Sequence, residues 1–508
     1  MIKEFVIDLF CGAGGTSTGV HLANCTTTVA ACVNHDIKAV ESHRMNHPKA
    51  KHFIEDIRNP EVVFLLKLRV NALRKLYPNC IITIWASLEC TNFSKAKGGL
   101  PRDADSRTLA EHLFMYLESL NPDYLMIENV MEFMSWGPLD KNGRPVSIKR
   151  GTDYLRWVEN VKGYGYNFDW KELNAADFGA YTSRRRYFAQ FAKGELPISW
   201  PEQTHCKNPD KETDLSRKPL KKWKAVKEVL NFENVGKSIF LRKKPLVENT
   251  LKRIYAGLIK FVADGDESFL LKYNSTSKSG KHSPPGVNDP CPTVATQNRL
   301  GIIKMEFLQS YYGNGNAHSI SQPCPTVSTK DRFAKVGMHF IEQQYGNSTP
   351  KEVTAPLNTI TNNPKFALVS TKPWSHHYIL NPQFGNVGNS IEKPCPTVIA
   401  RQDKKPLGII SCETGSGLSI VVYPEDTPTM IKIKKFMAHF GIIDIKMRML
   451  EVNELLQIQG FPKNYVLTGT QTDKKKFIGN SVEVTTAKKL FESHYKSLLQ
   501  FFEDKVAA

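Results

Sequence analysis

Residues 6–16 read Val-Ile-Asp-Leu-Phe-Cys-Gly-Ala-Gly-Gly-Thr, an apolar strand holding one acid that runs into a glycine-rich turn ahead of a helix. A turn of bare backbone lets a ligand come close to peptide N–H groups, so the stretch points to a nucleotide-like cofactor and, alone, to nothing finer. Working outward, residues 1–195 alternate between two textures. Residues 26–34, 80–87, 123–130 and 185–191 are β-branched and aromatic runs, whereas 37–47 and 107–120 repeat their apolar residues at helical spacing. This alternation predicts an α/β fold, a parallel-type sheet wrapped by helices with ligands at the C-terminal strand ends. Asp8, Asn34, Asp56 and the pair Glu89-Cys90 fall at or just after such ends. The site is therefore assembled from strand-end loops.

Five more motifs follow in order: Ser-Leu-Glu-Cys-Thr at 87–91, Glu128-Asn129-Val130, Arg184-Arg185-Arg186, Gln-Gly-Phe-Pro at 459–462 and Gly-Asn-Ser-Val at 479–482. Together with the glycine turn, the series resembles the DNA cytosine-5 methyltransferase family over residues 5–191 and 446–490. The Glu-Cys-Thr form resembles a subgroup of it that is largely phage-encoded. The resemblance implies a Rossmann-like, S-adenosylmethionine-dependent methyltransferase sheet interrupted by an inserted target-recognition domain. Two places depart from the family's pattern. Proline and glutamine usually flank the cysteine where this chain has Glu89 and Thr91, and glutamine usually stands at the position of Thr182 in a Gln-x-Arg-x-Arg element.

C5 of cytosine is not nucleophilic. A thiolate added at C6 makes an enamine whose C5 attacks a sulfonium methyl; a base then removes the C5 proton and the thiolate leaves. The chemistry needs an activated cysteine, an acid at N3 and a cation near O2. By resemblance, Cys90 is the nucleophile, Glu128 the acid, Arg184 the cation and Arg186 a more structural partner. A carboxylate at Glu89 would raise the thiol's pKa unless it points away, and three adjacent arginines also suit a phosphate patch. For the donor, Phe10, Gly12 and Gly14 shape the first turn. Asn34 stands where the family places a ribose-binding acid, with His35 and Asp36 beside it. Asp56 and Ile57 match adenine contacts, Leu109 follows a stretch resembling a cofactor-side loop, and Asn480 and Val482 match the motif that closes the pocket.

The remaining signals set the context. A chain of 508 residues has room for two to four domains, and 41% hydrophobic with 23% charged residues describes an ordinary globular composition. No apolar run approaches the roughly 18 residues of a membrane span and no leader precedes the first strand, so a cytoplasmic protein of a bacterium or phage-infected host is expected. The ten cysteines form no Cys-x-x-Cys pair. His43 and His47 are spaced as metal ligands could be, but no second pair follows and no metal is expected. The net charge of +18 suits a polyanionic partner, double-stranded DNA by resemblance. Half of that excess lies in residues 207–260, with 15 Lys/Arg against 6 Asp/Glu, either a solvated basic linker or a phosphate-contacting surface.

From about residue 265 the texture turns to Gly, Asn, Ser and Pro between short strand-like runs. A Pro-x-Pro-Thr-like element recurs with matched threonines at Thr293, Thr326, Thr359, Thr397 and Thr429, at intervals of 33, 33, 38 and 32 residues. Each unit reads as a short β element plus a turn, too small to bury a core alone. The expected layout is therefore a catalytic domain over 1–200 and 446–508, around a basic linker and mostly β recognition domain over 201–445, with repeats near 269–433. A monomer acting on duplex DNA is expected, with a cognate restriction endonuclease as a possible partner. A tRNA cytosine-5 methyltransferase and a catalytically silent DNA-binding relative are the alternatives.

Overall fold

The computed structural model describes residues 2–23, 26–88, 109–138, 140, 151–209, 219–231, 233–234, 237–259, 290–293, 300–306 and 422–507 apart from 441 and 443, together with the backbone of short strands between 268 and 411. The chain divides into two compact units, 1–230 with 288–298 and 451–508, and 231–287 with 299–450.

The first unit is built on seven strands: β1 (Glu4–Leu9), β2 (Thr27–Asn34), β3 (Lys51–Ile54), β4 (Ile81–Ser87), β5 (Tyr124–Asn129), β6 (Tyr166–Asn174) and β7 (Arg185–Lys193). They run in the order 3-2-1-4-5-7-6. The first five pair in parallel, and β7 lies antiparallel to both β5 and β6. Helices α1 (Gly15–Leu22), α2 (Ile37–Asn46), α3 (Pro60–Leu76), α4 (Leu113–Leu120) and α5 (Thr152–Gly163) supply the crossovers.

Both faces of the sheet are covered, which is why β1 and β5 are buried at every position. Ile7 and Leu9 pack on one side against Leu66 of α3, Leu113 of α4 and Trp157 of α5. Val6, Trp85 and Met126 face the other side, against Val20 of α1 and Phe491 and Leu498 of the C-terminal helix Val484–Ala507. That helix is pinned by a buried polar knot. Glu4 accepts hydrogen bonds from the hydroxyls of Thr27 (2.7 Å) and Thr83 (2.5 Å) and lies 3.0 Å from His494 Nε2. The helix Val484–Ala507 thus covers a sheet whose strands all lie within residues 4–193.

Two sequence expectations are corrected at this end. The apolar spacing of residues 443–462 predicts a helical stretch, but Asp444–Met449 is a strand and Val452–Ile458 is helical. Strand pairing with Leu300–Glu306 wins because Ile445 and Met447 alternate into a core with Leu251, Ile254, Ile433 and Phe436. The apolar spacing of residues 475–502 predicts one long terminal helix, but there are two, Gln471–Asn480 and Val484–Ala507, separated where Ser481 turns extended.

In the second unit, three small antiparallel sheets of one design lie along the chain between Leu300–Glu306 and Asp444–Met449, which are two strands of a four-stranded sheet. Each has a central strand, Leu308–Ser310, His339–Gln343 or His377–Leu380, paired with a two-residue strand and with a third farther along the chain. Thr326, Thr359 and Thr397 lie outside the described residues. The outer copies depart from the β reading. Thr429 sits in a helix, Pro428–Phe440, started by the Thr427 hydroxyl accepting from Met430 N–H and by proline at the first helical position. The first copy belongs to the other unit, where Cys291 bridges Thr182. Among the described residues no helix is long and apolar enough to cross a membrane.

Candidate active site

A cleft of about 210 Å³ opens at the C-terminal ends of β1, β2, β4 and β5, where strand order reverses between β1 and β4. Its walls fall into two halves.

The first half is shaped by backbone. After β1 the chain turns through left-handed conformations at Phe10 (φ 60°), Gly12 (φ 51°) and Gly14 (φ 103°), the last capping α1. Phe10 and Gly12 line the cleft, and a Cβ on Gly12 would meet nothing nearer than the Phe10 carbonyl at 4.0 Å. The turn is therefore open to a ligand on that side. Gly14 is packed instead, because a Cβ there would come within 2.5 Å of the Tyr465 hydroxyl. Tyr465 donates to the Ala13 carbonyl at 2.5 Å, and burial pushes its phenol up, keeping the proton for that bond. Asn480 and Val482 close the opposite wall. They are held by Gln459, fully buried, whose side-chain amide donates to the carbonyls of Ile478 (3.1 Å) and Ser481 (3.3 Å). The Gln-Gly-Phe-Pro motif thus acts on the Gly-Asn-Ser-Val motif through its glutamine.

At the end of β2, Asn34, His35 and Asp36 all reach the cleft. The Asn34 side chain accepts from Asp36 N–H at 2.9 Å, and Asp36 caps α2 while pairing with Lys476 at 2.9 Å. Partial burial works against the Asp36 anion, but Lys476 and the cap N–H groups outweigh it and hold the carboxyl below its ordinary range. Lys476 was not singled out from sequence, where a lysine in a surface-type helix gives no signal.

Charged side chains make the second half. Glu128 at the end of β5 is 5% exposed and lines the cleft with Arg184. Its Oε1 has Arg186 Nε at 3.3 Å and Arg184 Nη2 at 3.9 Å, yet accepts no hydrogen bond of good geometry among the described residues. Arg184 donates to the Gly479 carbonyl at 3.2 Å, so the arginine motif and the C-terminal motif support each other. Arg186 is nearer to the carboxylate than Arg184 and stands outside the cleft lining. Thr182 is fully buried, and its hydroxyl donates to the Pro292 carbonyl at 3.3 Å, while Ser183 N–H donates to the Cys291 carbonyl at 2.7 Å. The departure at this position thus fastens the arginine motif to the first Pro-Cys-Pro-Thr copy.

Besides Gly14, three of the expected cofactor residues sit apart from the cleft lining. Asp56 is half exposed and paired with Arg58 at 2.7 Å. Ile57 is buried, its carbonyl accepting from Tyr116, and Leu109 is packed in the core. Cys90, with Glu89 and Thr91, lies outside the described residues. Ser87 and Leu88, which lead to it from β4, are in the cleft wall.

A sequence profile described as C-5 cytosine-specific DNA methylase matches residues 5–496. The type II methyltransferase M.AquIA of Picosynechococcus sp. is 27% identical over 233 residues, 45% of this chain and 89% of its own length. M.AgeI of Thalassovita gelatinovora, also a type II methyltransferase, is 28% identical over 200 residues, 39% of this chain and 42% of its own. This chain therefore spans less than half of that second relative. A solved DNMT2 mutant from Spodoptera frugiperda aligns with 98% of this chain and 100% of its own at 14% identity and a TM-score of 0.44, too loose a likeness to add to the sheet order. The profile spans the glycine turn and every motif after it, and on that match the chain belongs to the C-5 cytosine-specific DNA methylase family.

Proposed function

We propose that this chain methylates C5 of a cytosine flipped out of double-stranded DNA, at a sequence chosen by the repeats of its second unit. The observation that carries the reading is one cleft lined both by an open glycine turn and by a buried carboxylate that lies near two guanidinium groups. S-adenosylmethionine, the donor of this family, supplies an electrophilic methyl when bound. The bare Gly12 backbone and the closing pair Asn480 and Val482 fit it, with Asn34, His35 and Asp36 at the far edge.

On the base side, Glu128 shares its proton with cytosine N3, drawing electron density from C6. The Cys90 thiolate adds there. Arg184 faces the cytosine O2 and Arg186 holds the Glu128 carboxylate in place. After methyl transfer a base removes the C5 proton, and the re-forming double bond expels the thiolate. Burial of Glu128 and Arg184 keeps water away and makes each interaction count for more. The base must leave the duplex to reach the thiol, at a cost of a few kcal/mol in unstacking.

Reading methylated positions across a plasmid at base resolution, after expression of the full chain, tests both halves of the proposal. Wild type should mark cytosine C5 within one short sequence, and Cys90→Ala should mark none while still binding donor. Turnover by a well-folded Cys90→Ala protein would end the nucleophile assignment. Exchanging the stretches at 330–332 or 401–403 should change which cytosines are marked. An unchanged methylated sequence after both exchanges would make the repeats a spacer.

A further inference from the structure

Four elements around the glycine turn bring soft and borderline donor atoms to one place. Cys11 follows β1, Cys32 lies in β2, His43 in α2 and His52 in β3. The sulfurs of Cys11 and Cys32 and a ring nitrogen of His43 all lie within 4.8 Å of one another, and these three residues are buried. Cys32 Sγ is 3.7 Å from His43 Nδ1, which is 3.0 Å from His52 Nε2.

The other nitrogen of His43 fixes which way its lone pair points. His43 Nε2 is 2.9 Å from Ser17 Oγ, and the Ser17 hydroxyl donates to Asp8 Oδ2 at 2.8 Å. With Asp8 ionised, Ser17 gives its single proton to the carboxylate and can only accept from His43, so Nε2 carries a proton in that state; burial works the other way, pushing the Asp8 carboxyl up to about 8. In the neutral ring Nδ1 is then unprotonated, and it faces the two sulfurs and His52. A serine–carboxylate relay on the far nitrogen is how a metal-binding imidazole is oriented and made more basic. Asp8 is fully buried, and its Oδ1 has no hydrogen-bond partner among the described residues.

We propose that Cys11, Cys32, His43 and His52 form a zinc site that clamps the glycine turn to β2, α2 and β3. Zn–S bonds of about 2.3 Å and Zn–N bonds of about 2.0–2.1 Å in a tetrahedron put S···N edges near 3.6 Å and N···N edges near 3.3 Å. The Cys32–His43 edge of 3.7 Å and the His43–His52 edge of 3.0 Å lie close to both, while His52 stands outside the three residues whose donor atoms are all within 4.8 Å of one another and would draw in as the fourth ligand. Two thiolates and two imidazoles form a neutral closed shell around Zn²⁺ with no position left for a substrate, so the role is structural. Cys11 stands between Phe10 and Gly12 in the cleft wall, so the metal would hold the cofactor turn in shape. This inference is independent of the reaction assigned above.

Full-length protein purified without chelator should carry one zinc per chain by elemental mass spectrometry. Replacement by Co²⁺ should give the strong visible bands of a tetrahedral ion and thiolate-to-metal charge transfer in the near ultraviolet. His52→Ala tests the site without touching the buried cysteines: it should fold and bind Co²⁺ at least tenfold more weakly, with an altered visible spectrum. Chelation should lower the thermal midpoint of wild type more than that of Cys32→Ser. A chain that takes up neither Zn²⁺ nor Co²⁺ would overturn the proposal. So would a mass two hydrogens lighter that marks a Cys11–Cys32 disulfide in native protein, or a Co²⁺ spectrum untouched by His52→Ala.

Discussion

The two halves of the cleft are made of different material. The donor half is cut from backbone: left-handed turns at Phe10, Gly12 and Gly14, carbonyls gripped by Tyr465 and Gln459, and peptide edges at Ser481 and Val482. The base half is made of three charged side chains, two of them almost wholly buried. A backbone cradle selects by shape, so it tolerates changes of side chain but not an added Cβ. Buried charges are costly to desolvate and persist because they pair, so each depends on its neighbours. Damage to the two halves should therefore read out differently, the first in donor affinity and stability, the second in rate.

The largest effect belongs to the base half. Glu128→Gln keeps the shape of the side chain and removes the carboxylic acid, and should depress single-turnover methyl transfer by ~10²–10⁴, the usual scale for a lost general acid. Donor affinity, measured by calorimetry, should hardly change. If affinity fell instead and the rate from the bound state stayed normal, the division into two halves would be wrong.

Gly14→Ala should do the reverse on a smaller scale. A methyl group there would press on the Tyr465 hydroxyl, and the backbone sits at φ 103°, which a side chain rarely adopts. Strain of this kind costs of order 1–3 kcal/mol. Denaturant unfolding should show that loss of stability, with weaker donor binding and a nearly normal rate at saturating donor. A large fall in that rate would mean the turn also takes part in the chemistry.

How much of this could be read from the residues depends on how strongly each element is buried. The central strands β1, β4 and β5 announced themselves because both faces are covered and polar residues are scarce. The edge strands β3 and β6 escaped notice: one has four residues, the other shows mostly exposed polar positions, and edges carry little apolar signal. The strand at 444–449 was hidden inside a longer apolar run whose second half is helical. In the cleft, the ordered motifs brought Phe10, Gly12, Glu128, Arg184 and Asn480 into one lining. Sequence gave no hint that Lys476 would hold Asp36, or that Thr182 would be tied to the first repeat copy. The zinc donors were almost as silent: His43 stands four residues before His47, which is not among them. Cys11, Cys32, His43 and His52 are separated by 21, 11 and 9 residues, so no short pair marks the group, and only the sheet and α2 draw it together.

The smallest effect should come from a third kind of material, the exposed cations of the second unit. The run Arg242-Lys243-Lys244 reads in sequence as three equal charges for a phosphate backbone. In the fold they are not equal. Arg242 is half-buried and donates to the Met447 carbonyl at 3.1 Å, bracing the strand Asp444–Met449, while Lys243 and Lys244 are exposed. Each phosphate contact contributes about 0.9 to the slope of log affinity against log salt. Replacing Lys243 and Lys244 together by alanine should therefore lower that slope by up to ~1.8 and weaken all DNA sequences alike, with the methylated site and folding unchanged. Arg242→Ala should leave the slope nearly as it was and lower the unfolding midpoint instead, since what it removes is an internal hydrogen bond worth about 1 kcal/mol. Filter-binding titrations over a series of salt concentrations, paired with thermal unfolding of both variants, separate the two outcomes. A slope that moves with Arg242 but not with the lysines would reverse the assignment, making the braced arginine the DNA contact and the exposed lysines solvated surface.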